Sequence, residues 1–377
     1  MTEVQQAAAI AGSRRSLRVL MAVGAAGAVG GLEASFARIG EELRCAGVDA
    51  SVLVVGPPAA AANSADFLSR YLPTHTASGW REIWRATAAY DVVHVHGATS
   101  ALWPARAVAA ARAHGTPIVL TVHLPSHPPR QPRWRGELRS RLRMVWRGAL
   151  LLLSGADVYA PSAAAAAVAR RQLRPWPVRV RGLWNGVVDT GDAPVSTSGP
   201  LRLVFVGRLA DHKRPLEFVA AVITALSAGA DVTADIVGDG PLRPAVEDAI
   251  AASSYADRFT LHGQCDDPSA MMRGGDLLVL TSTTEGCPLV AMEAAASGRG
   301  VLARAGIEGL AEGWRDAYVA VPDSEGSDGF SARIIELAAD LGSVVRLGTM
   351  ARRRFEDRFS AGRAAQALRA AYDGAHG

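Results

Sequence analysis

The sequence predicts an α/β protein made of two Rossmann-like domains. Three observations predict it. A chain of 377 residues with 49% hydrophobic content is long enough for two domains of ordinary size, each with its own core. A buried-strand pattern followed by a glycine turn and a helix occurs twice, at Arg18–Val23 with Gly24–Gly31 and at Leu201–Val206 with Gly207. Between the two units, residues 191–200 are rich in turn formers and lack apolar periodicity, which marks a linker. The division that follows is a tail over residues 1–16, a first domain over 17–190, the linker, a second domain over 201–350 and a C-terminal segment over 351–377.

Composition narrows the class. Met1–Arg15 lacks the apolar core of a secretory signal, and no apolar run approaches the roughly 20 residues that span a bilayer. Cys45, Cys265 and Cys287 are too far apart for a metal or redox spacing. A reduced, cytoplasmic setting is expected. The net charge is a modest +4, but among 40 lysines and arginines Lys213 is the single lysine. Every other residue of that set is arginine, so the position that carries lysine against such a bias is a candidate for chemistry that arginine cannot do.

In the first domain, Arg18–Val23 reads as a buried strand, Gly24–Gly31 as a turn that brings backbone close to a phosphate, and Leu32–Ala46 as a helix. A dinucleotide fingerprint is the obvious rival. The spacing of Gly24, Gly27 and Gly30 differs from it, and the next strand, Ser51–Val55, ends in Gly56-Pro57 rather than in an acidic residue for a ribose. Asp91–Gly97 is a strand carrying His94 and His96, read as alternating in direction, one toward the sheet and one toward its carboxyl edge. Ile118–His123 is a strand that ends on His123, at the edge where α/β proteins bind ligands. Arg130–Leu153 follows as an amphipathic helix with Arg135, Arg139, Arg143 and Arg147 four residues apart. Its basic face, Arg133–Arg147, is either a solvated surface or a contact for anionic headgroups or an anionic acceptor. Nucleic acid is not expected there, because no aromatics are interleaved for base stacking. Asp157–Pro161 closes the series as a short strand.

In the second domain, Leu201–Val206, Ala234–Val237, Phe259–Gly263, Leu277–Leu280 and Gly300–Ala303 read as strands. Pro288 suits a helix start, Leu289, Met292 and Ala296 keep helical spacing, and Gly298 is a C-terminal stop. Glu285 therefore stands in a loop above a strand end, and Glu293 inside the helix that follows. Beside an anion site, two carboxylates are better placed to accept hydroxyls than to hold phosphate. Asp266-Asp267 reads as a helix cap, and no D-x-D loop suggests a divalent metal. Ser331–Leu341 and Arg352–Tyr372 read as the last helices.

The segment Thr281–Gly298, with seven residues between Glu285 and Glu293, Gly286, Pro288 and Leu289 among them, resembles the E-x7-E signature of retaining GT-B glycosyltransferases, in particular family 4. Further segments in the same order are similar to that family: Gly30-Gly31-Leu32-Glu33, Thr121-Val122-His123, Asn185-Gly186-Val187, Arg208 with Lys213, Gly238-Asp239-Gly240-Pro241, and Phe359-Ser360 before a long helix. The departures are an extra valine before Asp189, Gly300 in place of proline, Ala305 in a glycine pair and Ala361 in place of an aromatic. The resemblance implies a GT-B fold whose first domain binds acceptor, whose second binds a nucleotide-sugar, and whose last helix crosses back. It implies a metal-independent, retaining transfer from a nucleotide-diphosphate sugar, UDP-sugar first and GDP-mannose next, with no cofactor. Arg208 and Lys213 would grip the diphosphate, Glu293 the ribose and Glu285 the sugar hydroxyls. His123 would position the sugar. Gly30, Gly31 and Gly240 would lie against the substrates, and Cys287, Pro288, Leu289 and Val290 would line the sugar pocket, Cys287 as packing rather than nucleophile. Acceptor choice would fall to the loops at residues 57–79 and 124–136. A lipid acceptor would make the basic helix a peripheral membrane contact. A sugar-nucleotide epimerase or phosphorylase of related fold, and a nicotinamide-dependent oxidoreductase, are the rival classes.

Overall fold

Valine, leucine and isoleucine crowd the strand segments because parallel strands are covered on both faces. Four successive residues of the first strand, Val19, Leu20, Met21 and Ala22, are fully buried, so neither face meets solvent. The computed structural model describes residues 16–25, 31–98, 103–123, 151–265, 268–283, 285 and 287–376. Seven strands form one parallel sheet: β1 (Leu17–Gly24), β2 (Val48–Val55), β3 (Thr74–Ala77), β4 (Val92–Ala98), β5 (Ile118–His123), β6 (Asp157–Ala160) and β7 (Val180–Gly182). Their spatial order is 3-2-1-4-5-6-7. Helices α1 (Gly31–Cys45) and α2 (Pro58–Ser69) cover one face; α3 (Trp80–Thr87), α4 (Trp103–Ala113) and α5 (Ala163–Gln172) cover the other.

Six strands form a second parallel sheet: β8 (Leu201–Val206), β9 (Val232–Val237), β10 (Phe259–Gly263), β11 (Leu277–Leu280), β12 (Gly300–Arg304) and β13 (Val319–Val321). Their order, 10-9-8-11-12-13, repeats the winding of the first sheet. Its helices are α6 (Pro215–Ser227), α7 (Arg243–Ala251), α8 (Pro268–Gly274), α9 (Leu289–Ala296), α10 (Glu308–Trp314), α11 (Gly326–Ala339) and α12 (Leu341–Arg354). In each sheet the winding reverses once, between β1 and β4 and between β8 and β11. Helices leave in opposite directions at such a reversal, and a crevice opens above the carboxyl ends of the two strands.

The last helix, α13 (Ala361–His376), packs on the first sheet, where Ala364, Ala365, Leu368 and Tyr372 join the core beside Val19, Met21 and Phe36. Two strips of chain cross between the units side by side. Val187 donates its N–H to Phe359 O at 2.8 Å, and Ala361 donates to Val187 O at 2.9 Å. The Arg352 fork holds both oxygens of Asp189 at 2.6 Å.

This crossing corrects one expectation. A single helix over Arg352–Tyr372 is not formed: α12 ends at Arg354, a wide turn spans Phe355–Phe359, and Ser360 is extended before α13 begins. Apolar spacing runs through that region unbroken, and the break falls where Ser360 pairs with Val187. The helix expected at Ser331–Leu341 begins earlier and ends at Ala339, where Asp340 caps α12 through Ser343 N–H. His94 and His96 do not alternate. Residues two apart on a strand share a face, and their ring centroids lie 4.0 Å apart. His94 is fully buried between Tyr372 Oη at 2.7 Å and Thr121 Oγ1 at 2.8 Å. The basic face Arg133–Arg147, Gly30 and Asp266-Asp267 lie outside the described residues.

Candidate active site

The crevice of the second sheet is built from three loops that leave β8, β9 and β11. Backbone bonds zip the first two together: Gly207 N–H to Val237 O at 3.0 Å, Leu209 N–H to Asp239 O at 2.9 Å, and Leu242 N–H to Leu209 O at 2.9 Å. The approach is so close that a side chain at Gly238, where φ is +135°, would overlap Gly207 O. At Gly240 an added Cβ would stand 2.5 Å from Leu209 O. Glycine is therefore required by space as well as by φ.

The loop after β8 then makes one tight turn, Asp211–Lys213, and passes Arg214 in the left-handed region at φ 51°, ψ 51°. A non-glycine residue adopts that conformation only where its surroundings hold it. The holding group is Thr281, at the end of β11. Its hydroxyl lies 2.9 Å from both Lys213 O and Arg214 O. Thr283 N–H adds a bond to His212 O at 3.0 Å. Beneath this turn, Arg304 at the end of β12 pairs with Glu217 in the first turn of α6. With this backbone clamped, the Lys213 ammonium meets Glu285 Oε1 at 2.5 Å, and the two side chains keep only 19% and 15% of their exposure. Arg208, by contrast, is exposed and has no side-chain partner among the described residues. An exposed guanidinium and a half-buried ammonium–carboxylate pair thus stand on the loops of one crevice.

Past Glu285 the chain turns into α9. Pro288 stands one residue ahead of the helix, as its N-cap, and its carbonyl takes the N–H of Ala291 at 3.0 Å. Leu289 and Val290 fill the first turn, half-buried, and Glu293 is half-buried further along. Gly298 ends the helix with φ +70°. The Cys287 thiol is hydrogen-bonded to Asn185 of the first unit, and burial pushes it up to about 12, so it is no nucleophile at neutral pH.

Across the cleft, Gly31 opens α1, which also touches α9, and His123 ends β5 at the carboxyl edge, in register with Ala98 of β4. The second crevice therefore gathers Arg208, Lys213, Gly240, Glu285, Cys287, Pro288, Leu289, Val290 and Glu293. Gly31 and His123 belong to the facing sheet. Among the described residues no group of three or more histidine, cysteine, aspartate or glutamate side chains is placed to hold a metal ion.

The sequence model of the glycosyl transferases group 1 matches residues 200–340, and that of glycosyltransferase family 4 matches residues 29–190. The chain belongs to the family 4, group 1 glycosyltransferases. It is 38% identical to 2-deoxystreptamine glucosyltransferase of Streptomyces kanamyceticus over 30% of this chain and 30% of that protein. It is 29% identical to sulfoquinovosyl transferase of Arabidopsis thaliana over 63% of this chain and 46% of that protein. These matches span less than half the length of either relative. Among solved structures, HepE of Anabaena in complex with UDP superposes with a TM-score of 0.79 at 16% identity, covering 95% of this chain and 100% of that one. The likeness shows the fold, GT-B, with two Rossmann-like sheets.

Four further residues of this family 4 chain bear on the site, and three of them carry no signal in the sequence. Thr281 and Arg304 end strands as ordinary polar residues, and Glu217 sits in a helix where an acid is expected. Their joint role depends on β8, β11 and β12 lying side by side. Asn185 was visible only as part of a resemblance, and its bond to Cys287 depends on how the two units meet.

Proposed function

We propose that this glycosyltransferase moves a sugar from a nucleoside-diphosphate donor to a hydroxyl or amine acceptor, with retention at the anomeric carbon and without a divalent metal. The observation that carries the reading is the Lys213–Glu285 pair at the reversal point of the second sheet, with the exposed Arg208 in the same loop as Lys213. Leaving of a nucleoside diphosphate builds negative charge on its oxygens, and preformed cations aimed at that charge are the largest source of rate. Arg208 and Lys213 supply them. Glu285 holds the ammonium before donor arrives. It then accepts hydroxyls of the sugar when Lys213 turns to the diphosphate. Glu293 takes the ribose. Gly240 lets the base approach the backbone, and Pro288 to Val290 line the sugar pocket.

Residues 17–190 seat the acceptor, with Gly30 and Gly31 at the opening of α1 and His123 positioning the sugar; residues 201–350 seat the donor. The donor we assign is a UDP-sugar, with GDP-mannose the alternative. HepE, of like fold, was solved with UDP and with UDP-glucose. The acceptor class, natural product, polysaccharide or lipid-linked, is assigned to the first unit, where residues 57–79 form α2 and β3 rather than the expected loop and residues 124–136 lie outside the described residues. No helix among the described residues is long and apolar enough to cross a membrane. We place the enzyme in the cytoplasm, with the Arg133–Arg147 face as its contact to any anionic membrane or acceptor.

Calorimetric titration with UDP, GDP, ADP and NADH, first without metal and then with magnesium, tests the reading. Binding of one nucleoside diphosphate, weakened in Lys213→Ala, supports it. Binding of NADH alone, or of no nucleotide, overturns it. Conversion of the donor sugar with no acceptor present would instead favour an epimerase. The anomeric configuration of the product, read by proton NMR couplings, decides retention.

A further inference from the structure

The two units touch at one place where a charged side chain of one closes on bare backbone of the other. Glu312, in α10 of the second unit, reaches the first turn of α5 in the first. Its Oε1 accepts the N–H of Ala163 at 3.2 Å and its Oε2 the N–H of Ala164 at 2.6 Å. These are donors that a helix cannot satisfy internally. Ser162, the N-cap of α5, satisfies the next one, Ala165 N–H, at 2.9 Å. Three successive orphan amides are thus shared between the helix's own cap and a carboxylate from the other unit. A carboxylate on these amides faces the positive end of the helix dipole, and its charge strengthens both bonds.

The location gives this contact its consequence. Glu312 is two residues from Trp314, which stacks on Phe359, and Phe359 is in turn bonded to Val187 where the chain crosses between units. Gly313 lies against Trp184 and Phe359, with an added Cβ 3.0 Å from each. Glu312 therefore stands beside the hinge. Any rotation that widens the cleft must draw its carboxylate off Ala163 and Ala164. On the other side, the Cys287 thiol feels the charges of both Glu285 and Glu312, so the brace adjoins the loop that leads into α9. Both helices joined by the brace follow strands whose carboxyl ends face the cleft, α5 after β6 and α10 after β12.

We propose that Glu312 is a positioning residue that sets the closed angle of the cleft, and so the distance at which an acceptor on the first unit meets the donor loop on the second. The inference rests on the reading of the cleft as the site of sugar transfer. Donor binding uses the second unit alone, so it is insensitive to the angle. Transfer is sensitive, because a displacement of about 1 Å at the reacting atoms costs up to about a hundredfold in rate.

The test compares wild type, Glu312→Ala and Glu312→Gln, with melting curves to establish that each is folded. Small-angle scattering reads the cleft, calorimetry with UDP reads donor binding, and steady-state transfer reads kcat. The expected result for Glu312→Ala is a larger radius of gyration, UDP affinity within about twofold of wild type, and kcat lowered about tenfold or more. Glu312→Gln keeps an oxygen for one amide but loses the charge, and falls between the two in both radius and kcat. A wild-type radius of gyration in Glu312→Ala overturns the inference, whatever its kcat. So does a larger radius with unchanged kcat. Failure of the transferase reading itself shows earlier and separately, as wild-type protein that binds no nucleoside diphosphate, and the scattering comparison remains decisive for the brace.

Discussion

On the proposed reading Lys213 serves the site because it is compact. Its stem passes the face of Gly207, with Cδ 3.6 Å and Cε 3.7 Å from where a Cβ would stand, and ends on Glu285. A guanidinium fork is wider and rigid, and cannot swing from a carboxylate to a phosphate in the same space. Lys213→Ala should weaken UDP binding about 10- to 100-fold, the worth of one charge-assisted bond, and lower kcat further, with the melting temperature little changed. Lys213→Arg should also lose turnover; full activity in that variant would reduce the single lysine to accident. Cys287 gives the opposite expectation. With its thiol pushed up to about 12 by burial, the thiolate is scarce until the pH approaches that value. At pH 8 iodoacetamide should label exposed Cys45 and spare Cys287, and Cys287→Ala should keep its activity. Peptide mass spectrometry reads the first and steady-state kinetics the second. Lys213, Glu285 and Glu293 were legible in the sequence because residue identity and spacing single them out. Thr281, Glu217 and Arg304 were not, because a threonine at a strand end acquires meaning only when the turn it clamps is laid beside it by the sheet.

The strands were the most legible elements, since a fully buried parallel strand is a short apolar run with glycine or a turn behind it. Helix ends were less so. The break at Ser360 coincides with a backbone pairing to Val187, a partner far away in the chain, and its local mark is the serine itself, whose hydroxyl takes the N–H of Arg363. The glycine turns lie between these cases: their presence could be read, their necessity could not. Gly298→Ala puts a Cβ at φ +70° and into the Asp192 carboxylate, a flexible group on the linker side that can yield. About 1–3 kcal/mol of stability should be lost, seen as a drop in melting temperature with UDP affinity intact. Gly238→Ala meets backbone instead, at Gly207 O, one residue before Arg208. That loop must shift, so UDP binding should fall along with stability. If Gly238→Ala bound UDP as wild type does, the close packing of the two loops would have no bearing on the site.

At the scale of the whole molecule, stability is tied at the points where sequence-distant segments meet. Asp276 ahead of β11 takes the N–H of Ser196 from the linker, the N–H of Arg202 from β8, and the Arg202 guanidinium at 2.8 Å and 3.0 Å. Burial pushes this carboxyl up, but the Arg202 bonds and the two backbone N–H groups outweigh it and hold it below the ordinary carboxylate range. Its folded value is thus below the unfolded one near about 4. The stabilisation is complete above that pH and is lost as pH falls through the folded value. Asp276→Asn should cost about 1.5–3 kcal/mol at pH 7, and the gap between the two proteins should close below about pH 4 in a series of melting curves.

The last helix makes the most discriminating case, because sequence position and structural membership disagree there. Leu368 is 3% exposed and packs with Val19, Met21 and Phe36 of the first unit, although its neighbours along the chain, Phe355 and Phe359, pack with the second. Leu368→Ala opens a cavity beneath the first sheet and should cost about 2–5 kcal/mol. The loss should not spread evenly. Amide exchange should quicken in β1, β4 and β5, where Tyr372 also anchors α13 to His94, and remain slow in β8, β9 and β11. UDP, which the proposed reading seats on the second unit, should then protect the latter strands further without rescuing the former. Uniform loss of protection would mean that the units unfold as one body, joined by Arg352–Asp189 and the Val187 pairing more tightly than by their separate cores.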